Sequence, residues 1–374
     1  MSDDGDVFPA PRRAQPCCAG ALGLGLLSLA LGCGGGNGSA TTPSGECSPP
    51  QVAYSVYAPA ANLGEFATQL EQIRQSHAIP GLSAGIASAG EIVWEAGFGM
   101  ANVERRIPAT PDTAYSLASL TKPFAAVVIM QLVEDGRLNL DTPVSHFGVA
   151  VANSQNISVR HLMTHTSEGE PGTSFCYNGP RFGLLDGVIR GASGSSFERL
   201  LKDAIVGPLG LAHTVPITSA QVAGLGLAQG YCPSGLAPQS YIYDFACSAG
   251  LISTVGDYLR FSIALDSHAL ISPATTDAML TPMRGRDGTV FPYGLGWFVQ
   301  RIDGLRVAWH YGWWDATSTL VVKVPERELT FVTMANSDML SRAYIRGCTF
   351  GDIMTHAVGR YFLDSFVFGS GHLA

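Results

Sequence analysis

A long run of apolar residues lies in the segment ASLTKPFAAVVIMQLVEDG, from Ala118 to Gly136. Every residue from Phe124 to Val133 is apolar except Gln131, so the pattern predicts a helix that is hydrophobic on all sides and therefore buried. Gly136 is a suitable end for this helix, because glycine readily adopts the left-handed conformation found after a helix C-terminus. A lysine near the start of so apolar a helix requires an explanation.

Before and after this segment, the spacing of apolar residues follows the period of a helix in some stretches and that of a strand in others. An amphipathic helix is predicted from about Leu63, and Pro80 ends it. The runs LSAGIASAG and EIVWEAGFGMANV predict two strands with Gly90 at their turn. From Ser119 to about Pro282 the pattern is helical, with the further helices SVRHLMTH, FGLLDGVIRGA, SFERLLKDAIVGPLG and TVGDYLRFSIALDSH.

The C-terminal part of the chain returns to strands. Four runs rich in β-branched and aromatic residues predict strands, and SRAYIRGCTFGDIMTHAVGRYFL predicts a closing helix; the strands are YGLGWFVQ, LRVAWHYG, STLVVKVP and ELTFVTMAN. Strands at both ends imply one sheet with an inserted helical lobe. We therefore predict an α/β fold of the α+β type, with an antiparallel sheet flanked by terminal helices. Its α/β lobe comprises residues 51–116 and 285–374, and its helical lobe comprises residues 117–284.

The first fifty residues predict export. Arg12 and Arg13 precede an apolar stretch that is too short to span a bilayer but suits a secretory signal, and it ends at Cys33. Residues 34–50 are rich in Gly, Ser, Thr and Pro and predict a flexible tether. The sequence LALGC resembles the lipobox of bacterial lipoproteins, which implies that residues 1–33 are a signal peptide and that Cys33 is lipidated. We expect a periplasmic protein held to a membrane by this lipid, with a plain cleaved signal as the alternative.

Composition and charge restrict the classes of function. Charged residues make up 14% of the chain and apolar residues 46%, as expected of a well-buried globular enzyme rather than a disordered chain. The net charge is -8, and no basic run is present to neutralise phosphates. We therefore predict a small-molecule or peptide substrate and no nucleic-acid partner.

The cysteine spacing does not indicate a metal site. Five cysteines remain after Cys33, which are Cys47, Cys176, Cys232, Cys247 and Cys348. Cys232 and Cys247 are the only pair near enough in sequence to propose as a disulfide. No Cys-x-x-Cys spacing occurs, and no histidine spacing is taken as a sign of a metal site, so we predict no metal and no cofactor.

One short motif points to a serine hydrolase but has the wrong context. The sequence GLSAG, centred on Ser83, matches Gly-x-Ser-x-Gly. A nucleophile elbow needs a strand before its serine and a helix after it, whereas here a helix and Pro80 come before and a strand follows. We interpret Ser83 as a strand residue and keep an esterase centred on it as a competing hypothesis.

Ser119 and Lys122 offer a different chemistry. A spacing of three residues places both side chains on one helix face, one turn apart. Burial and the positive end of the helix dipole both lower the pKa of a lysine there, and a neutral lysine could accept the proton of the serine hydroxyl. The alternative is that Ser119 merely caps the helix while Lys122 extends to solvent.

Several ordered segments resemble the serine β-lactamase and penicillin-binding-protein superfamily, in particular its class C β-lactamase, DD-peptidase and esterase branch. They are YSLASLTKPFAAVVIMQLVEDGRLNLDTPVSHF, ISVRHLMTHTSEG, AGLISTVGDYLRF, YGLGWF, WHYGWW and KVPERELTFVTMANSD. The resemblance implies a β-lactamase/transpeptidase-like fold. It also implies that Ser119 is the acylated nucleophile and Lys122 its activating partner.

The resemblance implies roles for further residues. FCYNGPRFGLL stands at the family's Tyr-x-Asn motif, which places the family tyrosine at Tyr177, a proton shuttle for the leaving group and the deacylating water. The family asparagine falls on Gly179, and Asn178 is not expected to replace it.

The tripeptide HYG matches the family's third motif. It implies that His310 donates hydrogen bonds to substrate and that Gly312 lets a substrate backbone approach the strand. The backbone NH groups of Ser119 and Trp313 would form the oxyanion hole. Trp313 and Trp314 would line the cleft with apolar surface.

We therefore predict an exported serine hydrolase that acts by an acyl-enzyme mechanism. Its expected substrates are, in order, a generic ester or amide, including D-amino-acid peptides, then a peptidoglycan stem peptide and then a β-lactam. The alternative is a catalytically degenerate penicillin-binding-like module that binds cell-wall peptides without turnover.

Overall fold

A computed structural model describes residues 63–232, 237–239, 244–342 and 351–369. These residues belong to one compact unit, residues 58–374. The proposed signal peptide, its Cys33 and the tether lie outside the described residues. The boundary between an α/β lobe and a helical lobe stays a prediction.

Strands occur in the described residues at both ends of this unit and, as short pieces, between them. In chain order they are β1 (Gly81–Ser88), β2 (Glu91–Asn102), β3 (Ile107–Pro108), β4 (Tyr115–Ser116), β5 (Val215–Pro216), β6 (Gly230–Cys232), β7 (Ala237–Gln239), β8 (Leu251–Ser253), β9 (Phe298–Ile302), β10 (Leu305–Trp314), β11 (Thr317–Val324) and β12 (Leu329–Ala335). The short strands β4 to β8 were not predicted from the sequence.

The principal sheet joins the two ends of the chain. Its seven strands run in the order β3-β2-β1-β12-β11-β10-β9, and every neighbouring pair is antiparallel. The junction is the pairing of β1 with β12, which places Ser83 opposite Met334. The predicted antiparallel sheet built from both termini is confirmed.

Helices occupy the middle of the chain and flank the sheet. Among the described residues the α-helices are α1 (Leu63–Ser76), α2 (Thr121–Glu134), α3 (Val159–Met163), α4 (Gly179–Gly183), α5 (Leu185–Ser193), α6 (Phe197–Leu201), α7 (Val255–Asp266), α8 (Pro273–Met279), α9 (Met339–Arg342) and α10 (Ala357–Leu363). The helix α8 was not predicted from the sequence.

The helix α2 lies within the apolar segment Ala118 to Gly136, for which a buried helix was predicted. Its residues from Thr121 to Met130 are all buried, so a helix that is hydrophobic on every side is confirmed. Gly136 has a φ of +68° and donates its backbone NH to the carbonyl of Val133 at 3.0 Å. The left-handed glycine therefore ends the helix in the predicted way.

Two predictions of regular structure are wrong. The last segment is not one helix, because Asp352 and His356 both have extended backbones and cap a 3-10 turn and α10 respectively. Residues 343–350 of that segment lie outside the described residues. The run YGLGWFVQ forms a strand only from Phe298, since Gly296 takes a φ of +84° and interrupts any extended run before it.

Candidate active site

Ser119 lies on a strained turn just before α2. The turn is a single 3-10 turn, Ala118–Leu120, and Ala118 has a φ of +46°, a left-handed conformation that is uncommon for residues other than glycine. Such strain persists only where neighbouring groups hold the backbone in place.

Hydrogen bonds from two threonine side chains hold the backbone just before Ser119. Thr121 Oγ1 donates to the carbonyl of Ala118 at 2.8 Å and accepts the backbone NH of Leu251 at 3.1 Å. Thr319 Oγ1 donates to the carbonyl of Leu117 at 3.0 Å. The turn is therefore fixed to α2, to β8 and to β11 of the principal sheet.

Lys122 lies within bonding distance of the Ser119 hydroxyl. Its Nζ is 2.8 Å from Ser119 Oγ, and it donates to the carbonyl of Ser248 at 2.9 Å. The side chain is fully buried. Burial lowers the pKa of Lys122 to about 7, because a charged ammonium loses its hydration there. Among the described residues, no carboxylate forms an ion pair that would offset this effect. The alternative in which Lys122 extends to solvent is wrong.

Tyr177 forms another wall of the same site. Lys122 Nζ lies 5.1 Å from the centroid of its ring. Burial raises the pKa of Tyr177 well above its usual range, and the nearby Ser119 side chain lowers it by less. The phenol is therefore neutral near pH 7. Its buried hydroxyl makes no hydrogen bond of normal geometry to a described residue, so it is available to a substrate or a water molecule.

Gly179 occupies the place that the family resemblance assigns to an asparagine. A Cβ atom on Gly179 would lie 4.0 Å from Lys122 Nζ, so a side chain there would face the lysine. Asn178 instead caps α4, since its Oδ1 accepts the backbone NH of Arg181 at 2.9 Å and its Nδ2 bonds Glu168. Asn178 does not replace the missing amide, as the sequence analysis expected.

His310 lies close to the site, but its predicted role as a substrate donor is wrong in this arrangement. The residue is fully buried, and both of its ring nitrogens have protein partners. Nε2 bonds the Tyr293 hydroxyl at 2.8 Å and Nδ1 bonds the carbonyl of Tyr311 at 2.8 Å. Burial and the nearby Lys122 keep the pKa of His310 well below 6.5, so the ring is neutral. No NH of the ring remains for a substrate carboxylate.

Gly312 is required for a different reason from the predicted one. A Cβ atom at this position would lie 2.2 Å from the carbonyl oxygen of Leu117 and 2.2 Å from Thr319 Oγ1. The glycine lets β10 pack against the backbone that carries Ser119, and its missing side chain does not face a substrate. Trp313 and Trp314 follow it with 40% and 42% exposure, as an apolar edge would require. The oxyanion hole of Ser119 and Trp313 stays a prediction.

Ser83 is not a second nucleophile. It is fully buried in β1, where its Oγ donates to the carbonyl of Thr110 at 2.7 Å and contacts the Tyr115 hydroxyl at 2.9 Å. A strand follows the serine where a nucleophile elbow needs a helix. The hypothesis of an esterase centred on Ser83 is wrong.

The suggested disulfide between Cys232 and Cys247 is also wrong. Cys247 is a free, buried thiol, whereas Cys176 and Cys232 each take part in a disulfide.

Three features of the site were not found by reasoning from the sequence. The carbonyl of Ser248 binds the lysine, His165 packs against Tyr177 with ring centroids 4.3 Å apart, and Tyr293 bonds His310. His165 and Tyr293 lie in the segments HTSEG and YGLGWF that carry the family resemblance, which is a signal for the segments but not for the roles of these side chains.

The described part of the chain holds no group of three or more His, Cys, Asp or Glu side chains placed to bind a metal ion. No helix in that same part combines the length and the apolar character that crossing a bilayer requires.

The antiparallel sheet, together with a serine one helical turn from a buried lysine, defines a protein of the β-lactamase type. Residues 66–345 match the family model described as Beta-lactamase, which is well over half of the chain. The chain belongs to this family.

Two curated relatives are similar over about 70% of this chain. Penicillin-binding protein 4* of Bacillus subtilis is 25% identical over 323 residues, which cover 72% of this chain and 71% of the relative. D-aminopeptidase of Gluconobacter oxydans is 26% identical over 292 residues, 69% of this chain. The match spans only 56% of that relative's length.

Solved structures share the fold. The octameric penicillin-binding protein homologue from Pyrococcus abyssi has a TM-score of 0.71 at 25% identity, with 81% of this chain and 77% of that chain covered. A class C beta lactamase from Rhodobacter sphaeroides has a TM-score of 0.67 at 20% identity, with 81% of this chain and 99% of that chain covered. The predicted fold class is therefore confirmed.

Proposed function

We propose that this protein is a serine hydrolase that acts through an acyl-enzyme. The observation that supports this most strongly is the 2.8 Å separation between Ser119 Oγ and Lys122 Nζ, combined with a Lys122 pKa of about 7. A lysine with this pKa is neutral in about half of the molecules at pH 7. The neutral amine accepts the proton of the Ser119 hydroxyl while Ser119 Oγ attacks the substrate carbonyl.

The acyl-enzyme forms and breaks down with the proton passing between the site groups. When Ser119 attacks, its proton moves to Lys122, and the tetrahedral oxygen rests on the backbone NH groups of Ser119 and Trp313. The proton then reaches the leaving amine or alcohol through the Tyr177 hydroxyl as the carbonyl re-forms. In deacylation, water attacks the ester carbonyl of the acyl-enzyme and gives a proton to Lys122 and Tyr177. These groups return a proton to Ser119 Oγ as it leaves.

The substrate class we favour is an ester or amide, including D-amino-acid peptides. The similarity to an enzyme named D-aminopeptidase supports this class. Buried, neutral His310 supplies no cation for a drug carboxylate, and Gly179 supplies no amide beside Lys122. Both observations make a β-lactam the least favoured substrate. A peptidoglycan stem peptide ranks between the ester or amide and the β-lactam.

A second candidate is a module that binds cell-wall peptides without turnover. Gly179 is the observation that favours it, because a family amide that faces the lysine is missing. Such a module would retain the cleft and bind peptides, but Ser119 would not react or the acyl-enzyme would not hydrolyse.

Covalent labelling separates the two candidates. We expect a fluorophosphonate to add one adduct to the wild-type protein, located at Ser119 by mass spectrometry of the peptides, and Ser119→Ala to show none. Ser83→Ala is the matched control and should label like the wild type. Equal labelling of wild type and Ser119→Ala, or labelling of neither, would remove the enzyme hypothesis. Labelling without p-nitrophenyl ester turnover would support the binding module.

We also propose that the protein is exported and anchored by a lipid at Cys33. The support is the pattern of a short apolar stretch followed by LALGC, a segment that lies outside the described residues. Incorporation of labelled palmitate into the wild type, and none into Cys33→Ser, is the expected result. Export of an unlabelled protein would indicate a plain cleaved signal.

A further inference from the structure

His165 holds the backbone on both sides of Tyr177. Its carbonyl accepts the backbone NH of Cys176 at 2.9 Å, and its ring Nδ1 accepts the backbone NH of Asn178 at 3.1 Å. The residues on either side of Tyr177 are therefore bonded to one and the same histidine. In addition, the imidazole lies against the phenol itself, with ring centroids 4.3 Å apart.

These contacts fix the tautomer of the histidine. An amide NH can only donate, so the Nδ1 that receives it carries no proton and the ring proton resides on Nε2. Burial lowers the pKa of His165 well below 6.5, and the nearby Lys122 and His310 lower it further. The ring therefore stays neutral and keeps its acceptor over the pH range in which Lys122 titrates.

The surroundings of His165 prevent it from moving. The residue is buried, and its backbone has a φ of +55°, which is uncommon for a residue other than glycine. The rings of Tyr293 and Phe182 pack against the imidazole at 4.8 Å and 5.4 Å. Nε2 has no hydrogen-bond partner among the described residues, so Nδ1 is the ring atom that anchors the side chain.

Tyr177 depends on such support, because its own hydroxyl offers none. The hydroxyl makes no hydrogen bond of normal geometry to a described residue. The position of the phenol is therefore set by the packing of its ring and by the backbone of residues 176–178, and His165 contacts both. A substitution that removes the Nδ1 acceptor would free the backbone NH of Asn178 and let the phenol move, while the bond from Cys176 to the backbone carbonyl of residue 165 would remain.

We propose that His165 is a positioning residue that fixes the phenol of Tyr177 for proton transfer, an inference that rests on the proposed hydrolase function. The imidazole does not exchange protons with the substrate. Its contribution is an acceptor at Nδ1 and a flat ring behind the phenol.

Two substitutions separate this role from a general effect on folding. His165→Asn places an amide oxygen near the position of Nδ1 and tolerates a positive φ. His165→Leu introduces an apolar side chain of similar size that offers no acceptor. We expect His165→Leu to lower kcat for an alkyl ester, whose poor leaving group needs a proton, by about 10-fold to 100-fold, the range that a misplaced reacting group typically causes. His165→Asn should recover most of this loss, at equal or smaller change in Tm.

A double-mutant cycle with Tyr177→Phe provides the decisive readout. If His165 acts through the phenol hydroxyl, His165→Leu should change kcat by less than about 2-fold when Tyr177 is already Phe, since coupled residues give non-additive effects. The same loss in both backgrounds would overturn the proposal, and so would a His165→Asn variant as impaired as His165→Leu. Fluorophosphonate labelling at Ser119 is measured in parallel on the wild type. Its absence would reject the hydrolase function itself, whereas labelling with an additive cycle would reject only the role of His165.

Discussion

Two lysines are buried in the part of the chain that the structure describes, and their surroundings differ. Lys323, on β11, donates to Asp266 at 2.8 Å and to the hydroxyls of Ser262 and Thr330. Lys122, on α2, has the Ser119 hydroxyl and a backbone carbonyl as its partners. Burial lowers the pKa of both, but the Asp266 carboxylate opposes the fall for Lys323, whereas no carboxylate among the described residues does so for Lys122.

The difference distinguishes a structural lysine from a reactive one. Removing an ammonium from water costs several kcal/mol, and an ion pair recovers part of that cost. The site of Lys323 recovers part of this cost through the ion pair with Asp266. The site of Lys122 offers no ion pair among the described residues to offset the desolvation cost, so the Lys122 ammonium loses its proton near pH 7. Burial alone does not mark a functional lysine, but burial without a counter-charge and beside a hydroxyl does.

The largest expected effect is the loss of acylation when Lys122 is replaced. Lys122→Met removes the proton acceptor and should slow fluorophosphonate labelling of Ser119 by about 10³-fold, within the range for general-base catalysis. Lys122→Arg should be equally impaired, because a guanidinium does not lose its proton in proteins. Lys323→Met is the matched control and should label within a few-fold of the wild type. Equal losses for Lys122→Met and Lys323→Met would eliminate the distinction between the two lysines.

Removing the phenol hydroxyl should have a smaller effect. Tyr177→Phe keeps the ring that packs against Lys122 and should lower kcat for ester hydrolysis by about 10²-fold, because proton delivery to the leaving group is lost while the base remains. Esters with good leaving groups should be affected least. A uniform loss for all leaving groups, measured with a series of substituted phenyl esters, would argue against proton delivery.

Stability should show the opposite ranking of the lysines. Lys323→Met leaves Asp266 and two hydroxyls without their partner, and we expect the free energy of unfolding to fall by about 1–3 kcal/mol. Lys122→Met also removes two hydrogen bonds, but it relieves the uncompensated burial of an ammonium and should lower that free energy by less. Denaturant unfolding of both variants at pH 7 tests this. A larger loss for Lys122→Met would show that its ammonium is compensated after all.

The smallest expected effect concerns Gly179. An amide placed there by Gly179→Asn would face Lys122, and a hydrogen bond worth about 1 kcal/mol corresponds to about a 5-fold change in rate. We expect penicillin acylation to rise by this amount, with Gly179→Leu as a control of similar volume and no amide. No gain over the leucine variant in stopped-flow acylation would indicate that the missing amide does not limit this reaction.

The sequence was sufficient for the sheet and for the Ser119–Lys122 pair because both depend on local patterns. Alternation and β-branched runs predicted the long strands, and a three-residue spacing placed two side chains on one helix face. The interruption at Gly296 and the extended residues within the last segment depend on backbone conformations that residue type alone does not specify.

The roles of individual site residues were harder to predict, because they depend on contacts between segments distant in sequence. His310 was expected to face the substrate, yet the hydroxyl of Tyr293, 17 residues earlier, occupies its Nε2. Gly312 was expected to make room for a substrate backbone, but a glycine is needed there because a side chain would collide with the carbonyl of Leu117. His165 left no usable signal, because its carbonyl and its ring act on the backbone around Tyr177 and no spacing rule encodes such contacts.

The most direct test of the account is the pH dependence of Ser119 acylation. Neutral Lys122 is the active form and burial sets its pKa at about 7, so the labelling rate should rise with pH through an apparent pKa of about 7 and then level off. Lys323→Met should give the same profile, whereas the residual rate of Lys122→Met should lose this inflection. A rate that keeps rising until about pH 10, the ordinary range of a lysine, would show that Lys122 is charged at neutral pH and would contradict the account.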